Sequence, residues 1–164
     1  MLRTAPLLLI LASAGLLAGA FAFQVFGGLD PCPLCLWQRW SHATVVPLAL
    51  LALFLDRAAQ HTLAGLALLA TAATLAVGAG IALFHVGVEH GWWQGLAACS
   101  AVPTGPTVAE LALGLNNRPA ACDQVAWSLL GLSMAGYNAI LSVALALCAV
   151  LAAGVRLTTG RSLS

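Results

Sequence analysis

The sequence contains no lysine, and it carries little charge of either sign. Arginine and acidic residues together make up 7% of its 164 residues, where a soluble domain has roughly 25%. With a net charge of +1 it offers no basic stripe, which argues against nucleic acid as a partner. Low-complexity tracts, internal repeats and soluble linkers are missing, and the composition is not that of a disordered chain. Strand-like alternation is missing from its apolar stretches, which argues against a β-barrel. What the chain has in abundance is apolar surface. At 62% hydrophobic, it holds more than a soluble core of this length can bury. An integral membrane protein remains, expected as one domain over residues 1–164.

A membrane-crossing helix needs about 20 apolar residues. Four stretches qualify, at 5–26, 36–55, 62–88 and 135–155. The expected fold class is therefore all-α, a four-transmembrane-helix bundle. The first stretch has a rival reading as a secretory signal, with Arg3 ahead of it and Ala18-Gly19-Ala20 as the cleavage site. Its apolar run continues through Phe26, longer than a typical signal core. Arg3, Arg57, Arg156 and Arg161 fall on the side of the two termini, and only Arg39 and Arg118 on the other. That excess puts both termini in the cytoplasm.

The outer face then holds a short loop over residues 27–35 and a long one over residues 89–134. Trp92 and Trp93 sit where an aromatic belt is expected. In the long loop, Thr107-Val108-Ala109-Glu110 reads as a capping box opening a short helix through Leu111, Leu113 and Leu115, ended by Asn116-Asn117. Such a helix lies on the bilayer surface or packs on the rest of the loop. Gly65, Gly78, Gly80, Gly136 and Gly154 are expected to let helices approach closely.

The chemistry lies in the cysteines. Cys32, Cys35, Cys99 and Cys122 fall in the two outer loops, and Cys148 falls within a span as a packing residue. Cys32-Pro33-Leu34-Cys35 is a C-x-x-C pair at the mouth of the second helix. Such spacing makes a small, reducible ring and commonly lowers a thiol pKa. A helix N-terminus favours a thiolate at Cys35. Arg39, one turn on along the same face, adds a cation. Cys99 and Cys122 can close a loop as a structural disulfide. Two pairs in facing loops can also exchange through a mixed disulfide, and this arrangement favours a relay over two staples. No metal is expected, because the second pair lacks the short spacing usual in a Cys₄ zinc site. Haem attachment needs a histidine where Leu36 stands.

Three segments resemble the DsbB family of disulfide bond formation proteins. The first is Pro31-Cys32-Pro33-Leu34-Cys35-Leu36-Trp37-Gln38-Arg39, similar to the family's first-loop signature. The second is Phe84-His85-Val86-Gly87-Val88-Glu89-His90-Gly91-Trp92-Trp93, at the end of the third span. The third is Cys122-Asp123 with the run from Trp127 through Asn138, leading into the fourth span.

The resemblance implies a membrane thiol:quinone oxidoreductase of the bacterial inner membrane, with its cysteine loops in the periplasm. It would reoxidise a soluble periplasmic DsbA-type thiol oxidase and pass the electrons to a membrane quinone, ubiquinone or menaquinone. Carried over by position, Cys99 would be attacked by the partner, with Cys122 its disulfide partner. Cys32 would exchange with that pair through a Cys32–Cys122 disulfide. Cys35 would be the thiolate that meets the quinone. Arg39 matches the family's arginine near the quinone ring, and His90 a histidine implicated at the quinone site. His85 is a nearby competitor whose alternative is a hydrogen-bonded packing residue. Gln38 stands where some relatives carry an acid.

Two other functions compete. A vitamin K epoxide reductase-like quinone reductase also combines four helices, a C-x-x-C and loop cysteines, but there the loop pair precedes the C-x-x-C, and here it follows. A small transporter or a structural membrane protein with two disulfides is the non-enzymatic alternative. No Asp or Glu lies within the four stretches, which disfavours an ion-coupled carrier. His85 and Cys148 are the ionisable groups expected at depth, with His42 at the interface.

Overall fold

A computed structural model describes residues 4–97, 99 and 120–162. Four helices dominate it: α1 (Ala5–Val25), α2 (Pro33–Arg57), α3 (His61–Glu89) and α4 (Met134–Ser162). By length and composition α1, α3 and α4 can each cross a membrane, and the chain is a helical membrane protein. Helix α2 has comparable length but is less apolar, because Gln38, Arg39, Ser41, His42 and Thr44 interrupt it. The short surface helix expected around residues 107–117, and Arg3, Glu110 and Arg118, lie outside the described residues.

Local chemistry sets the helix ends. Pro33 takes the first position of α2, where its missing N–H costs nothing, and Cys32 caps it. Helix α3 ends where Gly91 adopts φ +68°, a left-handed conformation that needs no strain in glycine. The Gly91 and Trp92 N–H groups then fold back onto the Val88 and Gly87 carbonyls.

Ahead of α4 stands one element the all-α expectation omitted. Strands β1 (Ser128–Leu129) and β2 (Leu132–Ser133) pair antiparallel. Leu130 and Gly131 both have positive φ, the geometry of a tight two-residue hairpin turn. A leucine in the first turn position hides that signal from the sequence.

Helix α3 packs between α2 and α4, and α1 leans on α2. The core is built largely from alanine: Ala49, Ala52, Ala64, Ala149, Ala152 and Ala153 are fully buried with Leu9, Val45 and Leu68. Small side chains bring the helix backbones close, which is how helices associate in lipid. The glycines divide. A methyl on Gly78 would meet Ser41 of α2, and one on Gly65 would meet Leu157 of α4. Gly136 has ordinary contacts, and Gly80 and Gly154 face open space, so those three are not close-approach sites.

Large apolar side chains point outward, with Leu11, Phe54, Val77 and Leu151 all more than half exposed. Polar ones point inward: Ser13, Gln38, His42, Thr71, His85 and Ser142 are buried. His42, expected at the interface, lies inside the bundle. At the far end Arg156 pairs with Asp56 through Nε and Nη2, at 2.6 and 2.9 Å. His61 adds a contact to the same carboxylate at 3.1 Å.

Candidate active site at the cysteine cluster

Cys32, Leu34, Val88, Cys99 and Cys122 form one buried cluster, with Cys35, Ile81, Phe84 and Ala120 packed against it. The fold thus brings Cys32, Cys35, Cys99 and Cys122 together where α2 begins and α3 ends. Cys99 and Cys122 are joined in a disulfide with Cα atoms 5.1 Å apart. Cys32 and Cys35 are free thiols, the first buried and the second partly so. Cys148 is also free and packs against the alanine-rich core, away from this cluster.

The Cys35 N–H donates to Cys32 Sγ at 3.1 Å, the helix cap of α2. Cys35 lies in the first turn of α2, ahead of the apolar stretch that begins at residue 36. The hydrogen bond from the Cys32 thiol is the largest influence on Cys35 and lowers it to about 7, with the Arg39 charge adding to the effect. Cys32 moves the other way, pushed up by that same hydrogen bond and by burial. The pair therefore shares one proton, with Cys35 the thiolate and Cys32 the thiol.

Arg39 is fixed on α1. Its Nη1 donates to Gln24 Oε1 at 2.6 Å and its Nη2 to the Ala20 carbonyl at 3.1 Å. The guanidinium stacks over the Phe21 ring, 5.2 Å from its centroid. Phe21, Val25 and Phe26 are exposed apolar side chains on the same end of α1. A fixed cation beside lipid-facing rings and a thiolate suits an uncharged, lipid-soluble acceptor with carbonyl oxygens, so these residues fit a quinone.

His90 is exposed at the end of α3 and stacks on Trp92, with ring centroids 5.3 Å apart. Trp92 and Trp93 meet edge to face, and Trp93 Nε1 donates to the Phe84 carbonyl at 2.9 Å. Gly87 makes room for this, since a methyl there would overlap the Trp93 ring.

His85, not His90, is the histidine inside the cysteine cluster. Its Nε2 lies 3.7 Å from Cys32 Sγ and 3.9 Å from Glu89 Oε1. Its Nδ1 lies 3.0 Å from Gln38 Nε2, which also donates to the Leu34 carbonyl at 3.2 Å. Gln38 Oε1 accepts from Asn138 Nδ2 at 2.7 Å. Asn138 Oδ1 faces His42 Nε2 at 2.8 Å, and His42 Nδ1 faces the Ser13 hydroxyl at 3.3 Å. A line of hydrogen bonds thus runs from Cys32 through α3, α2 and α4 to α1. Sequence reasoning placed the cysteines and Arg39 but not this line. Its one signal was a set of polar residues inside otherwise apolar stretches.

The Leu34 carbonyl fixes the orientation of the chain. An acceptor there requires the amide nitrogen of Gln38, so Gln38 donates to Nδ1, and the His85 proton stays on Nε2. Cys32, Cys35 and His85 do bring three donor atoms within 4.8 Å of one another. A protonated Nε2 is the wrong tautomer for a metal ligand at that atom, and it is the right one for donating to sulfur.

The family model for Disulfide bond formation protein DsbB matches residues 2–152. A Disulfide bond formation protein B of Methylococcus capsulatus is 37% identical over 144 residues, covering 80% of this chain and 82% of its own. One of Xanthomonas campestris is 37% identical over 160 residues, covering 92% and 89%. One of Xylella fastidiosa is 34% identical over 143 residues, covering 84% and 81%. No solved structure matches the chain. With its cysteines gathered at one end of a membrane bundle and near-full-length likeness to these relatives, the chain belongs to the DsbB family of disulfide bond formation proteins.

Proposed function

We propose that this chain is a membrane thiol:quinone oxidoreductase that reoxidises a DsbA-type periplasmic thiol oxidase. The observation that carries the reading is the single buried cluster holding a closed Cys99–Cys122 disulfide against a reduced Cys32/Cys35 pair. Two redox pairs in contact are what an exchange relay needs, and two structural staples would have no reason to meet.

The assigned roles follow the cluster. The partner's thiolate attacks Cys99 and frees Cys122. Cys122 attacks Cys32 of an oxidised Cys32–Cys35 pair, and Cys35 leaves as a thiolate. The partner's second thiol then releases Cys99, which attacks Cys122 and frees Cys32. That leaves the arrangement of the structure, with the second pair closed and the first pair reduced. A quinone, when bound, would supply a two-electron acceptor; as Cys32–Cys35 closes, the pair gives up two electrons and its one shared proton, and the second proton comes from water. Arg39 holds positive charge beside Cys35 and the developing negative charge. His90 is assigned to the quinone site by its match to the family.

Four membrane crossings, with α2 as the fourth, put these cysteines on the periplasmic side of the inner membrane. Arg57, Arg156 and Arg161 gather at the opposite, cytoplasmic end, where α1 begins and α4 ends. The test is quinone absorbance in detergent, with a soluble quinone and a reduced DsbA-type oxidase. Loss of quinone should require each of Cys32, Cys35, Cys99 and Cys122. A folded, oxidised protein that leaves several quinones unreduced with several such oxidases would overturn the reading in favour of structural disulfides.

A further inference from the structure

His85 touches Cys32, one half of the disulfide through which the two cysteine pairs would exchange. Its Nε2 faces Cys32 Sγ at 3.7 Å, and Cys32 packs with Cys122 in the same buried cluster. The ring is 4% exposed, so its polar atoms are satisfied by protein groups. On the other side Gln38 donates to Nδ1 and keeps the proton on Nε2. A buried histidine that served packing alone would need no fixed tautomer, yet three further residues on two helices enforce one: Gln38, Asn138 and His42.

We propose that His85 is the hydrogen-bond donor that stabilises negative charge on Cys32 Sγ during exchange, and that Gln38, Asn138 and His42 are positioning residues that hold it in the donating tautomer. The inference rests on the relay reading above. The step it serves is the release of Cys32 from its disulfide with Cys122. The Cys99 thiolate attacks Cys122 Sγ, the Cys99–Cys122 bond forms, and the Cys32–Cys122 bond breaks. The electron pair leaves on Cys32 Sγ, beside the His85 N–H. No proton changes hands and no outside oxidant is needed. His85 remains neutral throughout, because Gln38 occupies its second nitrogen as a donor.

Charge around this corner comes from Cys35 and Arg39 on α2 and from Glu89 on α3, whose second oxygen accepts from Ser133 at 2.5 Å at the start of α4. Cys35 is the strongest of these influences on Cys32, so the test removes it. In the full-length Cys35→Ala, Cys148→Ala protein with Cys99–Cys122 closed, Cys32 is the one thiol left to titrate. Its ionisation is read by thiolate absorbance in detergent, with no quinone and no partner.

His85→Phe should raise the Cys32 midpoint by about one pH unit, a tenfold loss of thiolate at a given pH below it. His85→Gln places an amide N–H near Nε2 and should restore the midpoint. His85→Asn reaches only toward Gln38 and should behave like Phe. Gln and Asn variants with the same midpoint would overturn the proposal, as would an unmoved midpoint in folded His85→Phe, and the polar pair decides the matter if the Phe variant does not fold. A wild-type protein that fails to reduce quinone while this series shifts as expected overturns the oxidoreductase reading and leaves His85's action on Cys32 standing.

Discussion

Asn138 bridges Gln38 and His42, two residues four apart on α2, by donating to the first at 2.7 Å and accepting from the second at 2.8 Å. Both partners are buried, so each relies on α4 for a hydrogen bond that water would otherwise supply. In an apolar solvent that dependence is strong, because an unpaired polar group has no alternative partner. The polar interior thereby fixes the register of α2 against α4, where interchangeable alanines leave it loosely specified.

Asn138→Leu is expected to strand the Gln38 carbonyl and to leave the His42 N–H only its longer contact with Ser142, at 3.4 Å. The cost should be about 1–3 kcal/mol, read as a lower unfolding temperature in detergent. Asn138→Gln, which keeps both functions with one more methylene, should lose less. Equal unfolding temperatures for Asn138→Leu and the parent would show that the bridge is not a stabilising contact.

Arg39→Ala should slow quinone reduction while leaving exchange between the partner oxidase and Cys99–Cys122 intact. The guanidinium is held on Gln24 and Ala20 of α1 and acts on Cys35 by charge. A loss of one to two orders of magnitude, about 1.4–2.8 kcal/mol of barrier, is expected in single-turnover quinone absorbance. Normal quinone kinetics in the variant would remove Arg39 from the site.

Alkylation of reduced Cys35 should follow a midpoint near 7. A lowered thiol pKa means that the thiolate dominates above that pH and is lost as pH falls through it, so the alkylation rate should be half-maximal near pH 7 and flatten about one pH unit above it. An ordinary thiol would reach half its maximal rate only at about pH 8.5. The hydrogen bond from Cys32 lowers Cys35 more than the Arg39 charge does. Cys32→Ala should therefore raise the midpoint further than Arg39→Ala. The measurement uses the Cys148→Ala background, and the reverse order would refute the shared-proton description of the pair.

The sequence made some of this legible for identifiable reasons. Apolar runs as long as a bilayer is thick announce α1, α3 and α4, and a C-x-x-C behind a proline announces the cap of α2. The gathering of Cys99 and Cys122 against Cys32 depends on how a long loop folds back, and spacing alone left staples and relay both open. His85 was legible as a competitor of His90 or as a packing residue, and not as a neighbour of Cys32, because its setting comes from Gln38, 47 positions away, and from Asn138, a further helix on. The β1–β2 hairpin escaped because Leu130 takes a conformation that glycine or asparagine usually marks.

Asp56 and Arg156 provide a control at the opposite end. Arg156 is 4% exposed, and its Nε and Nη2 both reach the Asp56 carboxylate, at 2.6 and 2.9 Å. Asp56→Ala leaves the guanidinium without its counter-charge. A buried pair broken on one side costs about 3–5 kcal/mol; here Asp56 is partly exposed, which screens the pair, so about 2 kcal/mol is expected. His61 also faces Asp56, and it cannot replace the lost carboxylate because an imidazole carries no negative charge to offer Arg156. Removing both members, as Asp56→Ala with Arg156→Leu, should recover most of the loss, since no buried charge is then left unpaired. Thermal unfolding of the single and double variants in detergent gives both values. Quinone reduction in the double variant should stay at the parent rate, because the cysteine cluster lies at the other end of the bundle. If the double variant is no more stable than Asp56→Ala, the pair is not what holds the α2–α3 turn to α4.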